Sequence, residues 1–311
     1  MKKRIQDVAR ERPLLADGAM GTQLMHAGLE QGSCGEAWNV TSPERVLAIQ
    51  RRYAEAGSDC LLTNTFGGSR IMLSRHGNGD RVAEINRASV AIARQAFAAR
   101  EGFVIGDIGP FGGLMEPYGE FTEAQVRDAF TEQAKALVEA GADAIIVETQ
   151  TSLEELLLGI NAAREAGAAC VIGSMAYDVT LDGSTFRTMM GIDPEHAAQF
   201  MQQHGVDIVA LNCGTGMDMD RARQAVIRYR TVTDLPLMIQ PNAGQPKLVD
   251  MKVVYDETPE QMVAGVIPLL EAGANIIGGC CGSTPEHIRA FRSAIDEFLR
   301  ARSPRGSEAS V

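Results

Sequence analysis

Five segments of the chain share one form: "AEAGSDCLLTNT" (54–65), "VEAGADAIIVETQ" (138–150), "REAGAACVIGSMA" (164–176), "QQHGVDIVALNCG" (202–214) and "LEAGANIIGGCCG" (270–282). Each ends a helix, breaks at a glycine, passes one or two small or polar residues and enters a short apolar run. Glycine suits the left-handed position after a helix because it has no Cβ to clash. The runs are short, apolar throughout and rich in Val and Ile, as expected of parallel strands covered on both faces. A chain that repeats helix, glycine and buried strand is restricted to a parallel α/β architecture.

Three further strands fit between these. "RPLLADG" leads to Asp17, "FVIGDIG" holds Asp107 and "PLMIQPNAG" leads to Asn242. Helices are expected over about 43–57, 80–100, 122–141, 152–167, 193–205, 218–233, 258–273 and 284–300. Several open on capping signals, such as Ser42-Pro43, Thr122-Glu123 and Thr284-Pro285-Glu286. Eight strands alternating with eight helices predict a single-domain (β/α)8 TIM barrel over residues 1–300, with a doubly wound open sheet as the competing arrangement. The stretch 301–311, "ARSPRGSEASV", lacks apolar periodicity and is expected to be disordered.

A net charge of −11 argues against nucleic acid or an anionic membrane as partner and suits an enzyme of small molecules. The N-terminal segment reads as no signal peptide, because acidic residues and arginines interrupt any apolar core. No apolar run reaches the 18 residues of a membrane span. The six cysteines, at 34, 60, 170, 213, 280 and 281, show no disulfide-framework spacing. A reducing, cytoplasmic setting is expected, in which thiols bind metal or pack.

Barrel active sites lie at the C-terminal ends of the strands. Pattern alone therefore singles out Asp17, Asn64, Asp107, Glu148, Asn212, Cys213, Asn242, Cys280 and Cys281. Cys34, Cys60 and Cys170 read as small buried apolar residues. The adjacent pair Cys280–Cys281 is a poor disulfide, because an eight-membered ring strains its peptide bond. With Cys213 from another strand end the pair makes a plausible three-thiolate zinc site with one position open, the mark of a catalytic rather than a structural zinc. A structural zinc in a non-catalytic binding protein, or a redox pair, are the competing readings. Asp17 and Glu148 on the same rim speak against the first, and the missing Cys-x-x-Cys spacing and dinucleotide fingerprint against the second. Glu148 follows a buried run, where an unpaired carboxylate is costly, so it calls for a cation.

The stretches "LLADGAMGTQL", "GSDCLLTNTFGGSRIMLSRHG", "GDIGPFGG", "VETQTSLEEL", "LNCGTG", "PNAG" and "GGCCGSTPEHI" resemble the homocysteine S-methyltransferases, most of all the homocysteine-binding barrel of cobalamin-dependent methionine synthases. The resemblance runs from about residue 13 to 290. It implies zinc, one per chain, on Cys213, Cys280 and Cys281. It places the amino-acid end of homocysteine at Asp17 and Gly18, and its ammonium at Glu148. Asn242 corresponds to a residue that can hold the fourth zinc position when substrate is absent. The implied reaction is methyl transfer to the homocysteine thiol, giving methionine. With a reference pKa near 8.5 such a thiol is only about 3% ionised at pH 7, and displacing its proton on zinc is worth roughly 2 kcal/mol.

The donor is implied less directly. Betaine-type members have tyrosine after the glutamate, where this chain has Thr149, and one Trp with five Tyr offers no evident aromatic cage for a quaternary ammonium. Methylcobalamin is therefore the expected donor. Methionine synthases of the family carry folate and cobalamin domains beside this barrel, so the resemblance implies a separate corrinoid or folate-binding protein as partner. Betaine or S-methylmethionine as direct donors are the alternatives.

Overall fold

The repeated unit folds as its pattern requires. The computed structural model describes residues 2–249 and 252–302. Eight parallel strands lie in one sheet: β1 Leu14–Leu15, β2 Cys60–Leu62, β3 Phe103–Ile108, β4 Ala144–Gln150, β5 Val171–Met175, β6 Ile208–Asn212, β7 Leu237–Gln240 and β8 Ile276–Ile277. From β2 to β8 each pairs with the next in chain order, and β1 pairs β8 at Leu14–Ile276. Between β1 and β2 the barrel is closed by bonds that include Asp59 N–H donating to the Leu15 carbonyl (2.7 Å) and Leu62 N–H donating to Asp17 Oδ2 (2.8 Å). This is the TIM barrel, not the open sheet.

The polar residue after the repeat's glycine has a structural task. Asp59 Oδ2 accepts the Leu15 N–H, Asp143 Oδ2 that of Val104, Asp207 Oδ2 that of Val171 and Asn275 Oδ1 that of Leu237, all at 2.7–2.9 Å. Each even strand thus opens on a side chain that satisfies a donor at the start of the odd strand before it, a group that would otherwise be buried and unpaired.

Strand alternation divides the core in two. Leu14, Cys60, Ile105, Ile146, Ile172, Ala210, Met238 and Ile276 fill the barrel, plugged from below by Ile5 and Ala9 of the helix Ile5–Glu11. Leu15, Leu61, Val104, Val147, Val171, Val209, Ile239 and Ile277 face outward into the helical shell. Cys60 and Cys170 belong to the inner core, where burial pushes their thiols up.

The eight expected helices are present, but the seventh is broken into Pro259–Val263 and Val266–Ala272. Pro268 has no N–H to return to the Ala264 carbonyl, and Gly265 sits where a Cβ would come within 2.6 Å of Met219. Two hairpins not expected from the repeat rise from the rim, Asp178–Val179 with Phe186–Arg187 and Lys247–Val249 with Lys252–Val254. The last helix, Pro285–Arg302, runs through residues 301 and 302. The rest of the expected tail lies outside the described residues. Among the described residues no helix is long and apolar enough to cross a membrane.

Candidate metal and substrate site

The inward parity of the strands continues to their C-terminal ends, where the residues turn from apolar to polar. Phe103 and Ile105 lead to Asp107, Ala144 and Ile146 to Glu148, and Ile208 and Ala210 to Asn212. These three carboxyl and amide groups form the buried ceiling of the barrel core. Above them opens a cavity of about 560 Å³, a size typical of small-molecule sites. Asp107, Glu148, Thr149, Cys213, Cys280, Cys281 and Tyr255 line its polar side, and Met20, Leu24, Met25, Phe66 and Met72 its apolar side.

The three thiols converge. The sulfurs of Cys213, Cys280 and Cys281 all lie within 4.8 Å of one another. Cys280 lies on the inward parity of β8. Cys213 lies on the outward parity of β6 and reaches the cavity because its backbone is left-handed, at φ 58°. Gly214 follows at φ 92°, where a Cβ would come within 1.8 Å of the Tyr177 carbonyl oxygen. The Cys280–Cys281 loop is tied on several sides. Cys280 N–H donates to the Pro241 carbonyl, the Cys281 carbonyl accepts from Ala243 N–H, and Ser283 Oγ donates to the Cys280 carbonyl (2.7 Å).

Hydrogen bonds from Cys280 and Cys281 pull the Cys213 thiol far below the usual range, and the same bonds push Cys280 upward and Cys281 to about 11. The donor set fits zinc. A tetrahedral ion with sulfurs at about 2.3 Å separates them by about 3.8 Å, within the observed spread. Next to them Asn242 bonds the Gly214 carbonyl (3.2 Å) and Cys213, while its Oδ1 is buried without a partner among the described residues.

Thr149 owes its placement to a break in β4. The register with β5 shifts between Val147 and Gln150, and Thr149 is left-handed at φ 57°. For a β-branched residue this conformation is costly. Through it Thr149, on an outward position, joins the inward-facing Glu148 at the cavity. Burial raises the Glu148 carboxyl from its ordinary 4.5 to about 7, against opposing hydrogen bonds from Asp107 and Asn212. Burial likewise raises Asp107 well above its usual range, with the Glu148 charge as the next cause. The two carboxyl groups interact, which raises Asp107 and lowers Glu148.

Profile comparison places residues 14–295 in the family described as Homocysteine S-methyltransferase. The chain belongs to the homocysteine S-methyltransferase family. It is 34% identical to a methionine synthase of Mycobacterium tuberculosis over 98% of its own length and 26% of that protein's. To a methionine synthase of Mycobacterium leprae it is 31% identical, over 95% of the chain and 25% of the relative. The chain thus spans about a quarter of these relatives. Among solved structures, the metallated form of the homocysteine methyltransferase MmuM of Escherichia coli shares the fold at TM-score 0.75 and 22% identity, covering 92% of this chain and 97% of that one.

Of the residues singled out in the sequence, the fold brings Asn64, Asp107, Glu148 and the three cysteines to one cavity. Asp17 is buried behind the wall, with Oδ2 on Leu62 N–H and Oδ1 unpartnered among the described residues, and Gly18 packs against Tyr53 and Ser283. The wall itself is built by the next residues, Ala19–Thr22. Tyr255 escaped the sequence reading. It follows the second hairpin, bonds Cys281 and lies where a Cβ on Gly282 would come within 2.2 Å of its ring. No spacing signal marks it. Asn212 was visible only as a strand end, and its contacts are tertiary.

Proposed function

We propose that this barrel transfers a methyl group to the thiol of homocysteine, giving methionine, with one zinc per chain on Cys213, Cys280 and Cys281. The observation that carries the reading is the convergence of three thiols and the buried carboxylate Glu148 on one cavity, in a chain of this family. When bound, zinc supplies a Lewis-acid position at which a thiol gives up its proton near neutral pH. The chain's own residues do the rest. Glu148 receives the substrate ammonium, and Asp107 braces Glu148 from behind. Asp17 and Gly18 act through the backbone they brace, Ala19–Thr22, whose surface the amino-acid end meets. Asn242, whose Oδ1 has no partner among the described residues, would help hold the zinc when substrate is absent. The apolar wall of Met20, Met25, Met72 and Phe66 excludes water from the sulfur and faces the donor.

The donor in this reading is methylcobalamin, carried by a corrinoid protein linked to methyltetrahydrofolate, in the cytoplasm. Support comes from the likeness to methionine synthases and from a wall in which, among the described residues, Phe66 and Tyr255 are the Phe, Tyr or Trp side chains, too few to enclose a quaternary ammonium. The barrel of residues 1–300 is taken as one domain. The test is to load the purified protein with zinc and supply homocysteine with methylcobalamin, betaine or S-methylmethionine in turn, following methionine. Methionine from none of them overturns the reaction. Methionine from betaine and not from methylcobalamin overturns the donor.

A further inference from the structure

The strained left-handed Thr149 and the carboxylate beside it are held by one side chain. Asn212 is 1% exposed and uses both ends of its amide. Its Oδ1 accepts from Thr149 N–H (2.9 Å) and from Ser174 Oγ (2.6 Å). Its Nδ2 donates to Glu148 Oε2 (2.6 Å) and to Thr149 Oγ1 (2.7 Å), and lies 3.9 Å from the Cys280 sulfur. A buried amide satisfied on every side is a rigid element rather than a filler. Without it, the Thr149 N–H loses its acceptor and Glu148 loses a donor that fixes which oxygen turns to the cavity.

We infer that Asn212 is a positioning residue for substrate recognition: it fixes the left-handed turn at Thr149 and so aims the Glu148 carboxylate at the ammonium of the amino-acid substrate. The inference rests on the homocysteine reading above. Its short bonds go to Glu148 and Thr149 and its contact with the Cys280 sulfur is long, so its main effect belongs to binding through the ammonium. Ser174 and Asp107 support the same unit from the neighbouring strands, Ser174 through Asn212 and Asp107 through Glu148.

The test compares homocysteine with 4-mercaptobutyrate, the same thiol acid without the amino group, by calorimetric titration of the zinc-loaded protein. In Asn212→Ala, homocysteine affinity is expected to fall about 10- to 100-fold, as for the loss of a charge-assisted bond. Affinity for 4-mercaptobutyrate should change by no more than about threefold, the typical scatter of such comparisons. Zinc affinity, measured with the metal alone by chelator competition, should hold. Equal losses for both ligands would make Asn212 merely structural and overturn the inference, as would unchanged homocysteine affinity. If Asn212→Ala fails to fold by circular dichroism, Asn212→Ser is read by the same ratio. Failure of the unmutated protein to bind homocysteine would overturn the function itself and is distinguishable from either result.

Discussion

Replacing Glu148 by Gln should make the protein more stable and a worse binder at the same time. The carboxyl is 8% exposed, and burial raises it from 4.5 to about 7. An acid whose folded pKa is raised opposes folding once it ionises. The penalty is absent below about pH 4.5, grows as pH rises and is complete above about 7. The displacement corresponds to about 3 kcal/mol at most. Gln keeps an oxygen for the Asn212 Nδ2 but carries no charge to lose its hydration. Without metal or substrate, Glu148→Gln should therefore melt a few degrees higher than the parent at pH 8, with a smaller gain at pH 5. In the zinc-loaded protein the same change removes the charge that pairs the substrate ammonium. A charge-assisted hydrogen bond is worth about 1.5–3 kcal/mol, so homocysteine affinity should fall roughly 10- to 150-fold while zinc content stays at one per chain. Thermal melts at the two pH values and calorimetric titration with homocysteine measure both effects. Unchanged homocysteine affinity would refute the assignment of the ammonium to Glu148. A melting point lowered equally at both pH values would refute the account of its burial.

Cys281→Ala should lose tight zinc and methyl transfer together while keeping the fold, seen by metal analysis and circular dichroism; full zinc retention would remove the three-thiolate site, and global unfolding would favour a structural metal. Gly214→Ala should cost at least about 2–3 kcal/mol, because a Cβ at φ 92° meets the Tyr177 carbonyl at 1.8 Å, and the displaced Cys213 should weaken zinc; a variant with the parent's melting point would show that the loop can yield. Free methylcobalamin with homocysteine should give methionine and betaine should not, as followed by chromatography.

The sequence by itself determined the barrel and most of the ceiling of its core. Helix, glycine and buried strand repeat along the chain, and period-two alternation from Ile105, Ile146 and Ala210 carries Asp107, Glu148 and Asn212 to the inner face whatever the loops do. The cysteines were readable because residue type and strand-end position suffice to suggest a thiolate metal site. What parity cannot give is Cys213 and Thr149. Both stand on outward positions, and each reaches the cavity through a left-handed backbone that non-glycine residues avoid. At Thr149 that conformation is held by Asn212, a residue 63 positions away, so no local pattern encodes it. Tyr255 is set against Cys281 by a hairpin, and Asp17 is turned from the cavity to close β1 on β2. Local propensity and periodicity decide which elements form and which face is buried. Which polar groups meet depends on contacts made only once the barrel is closed.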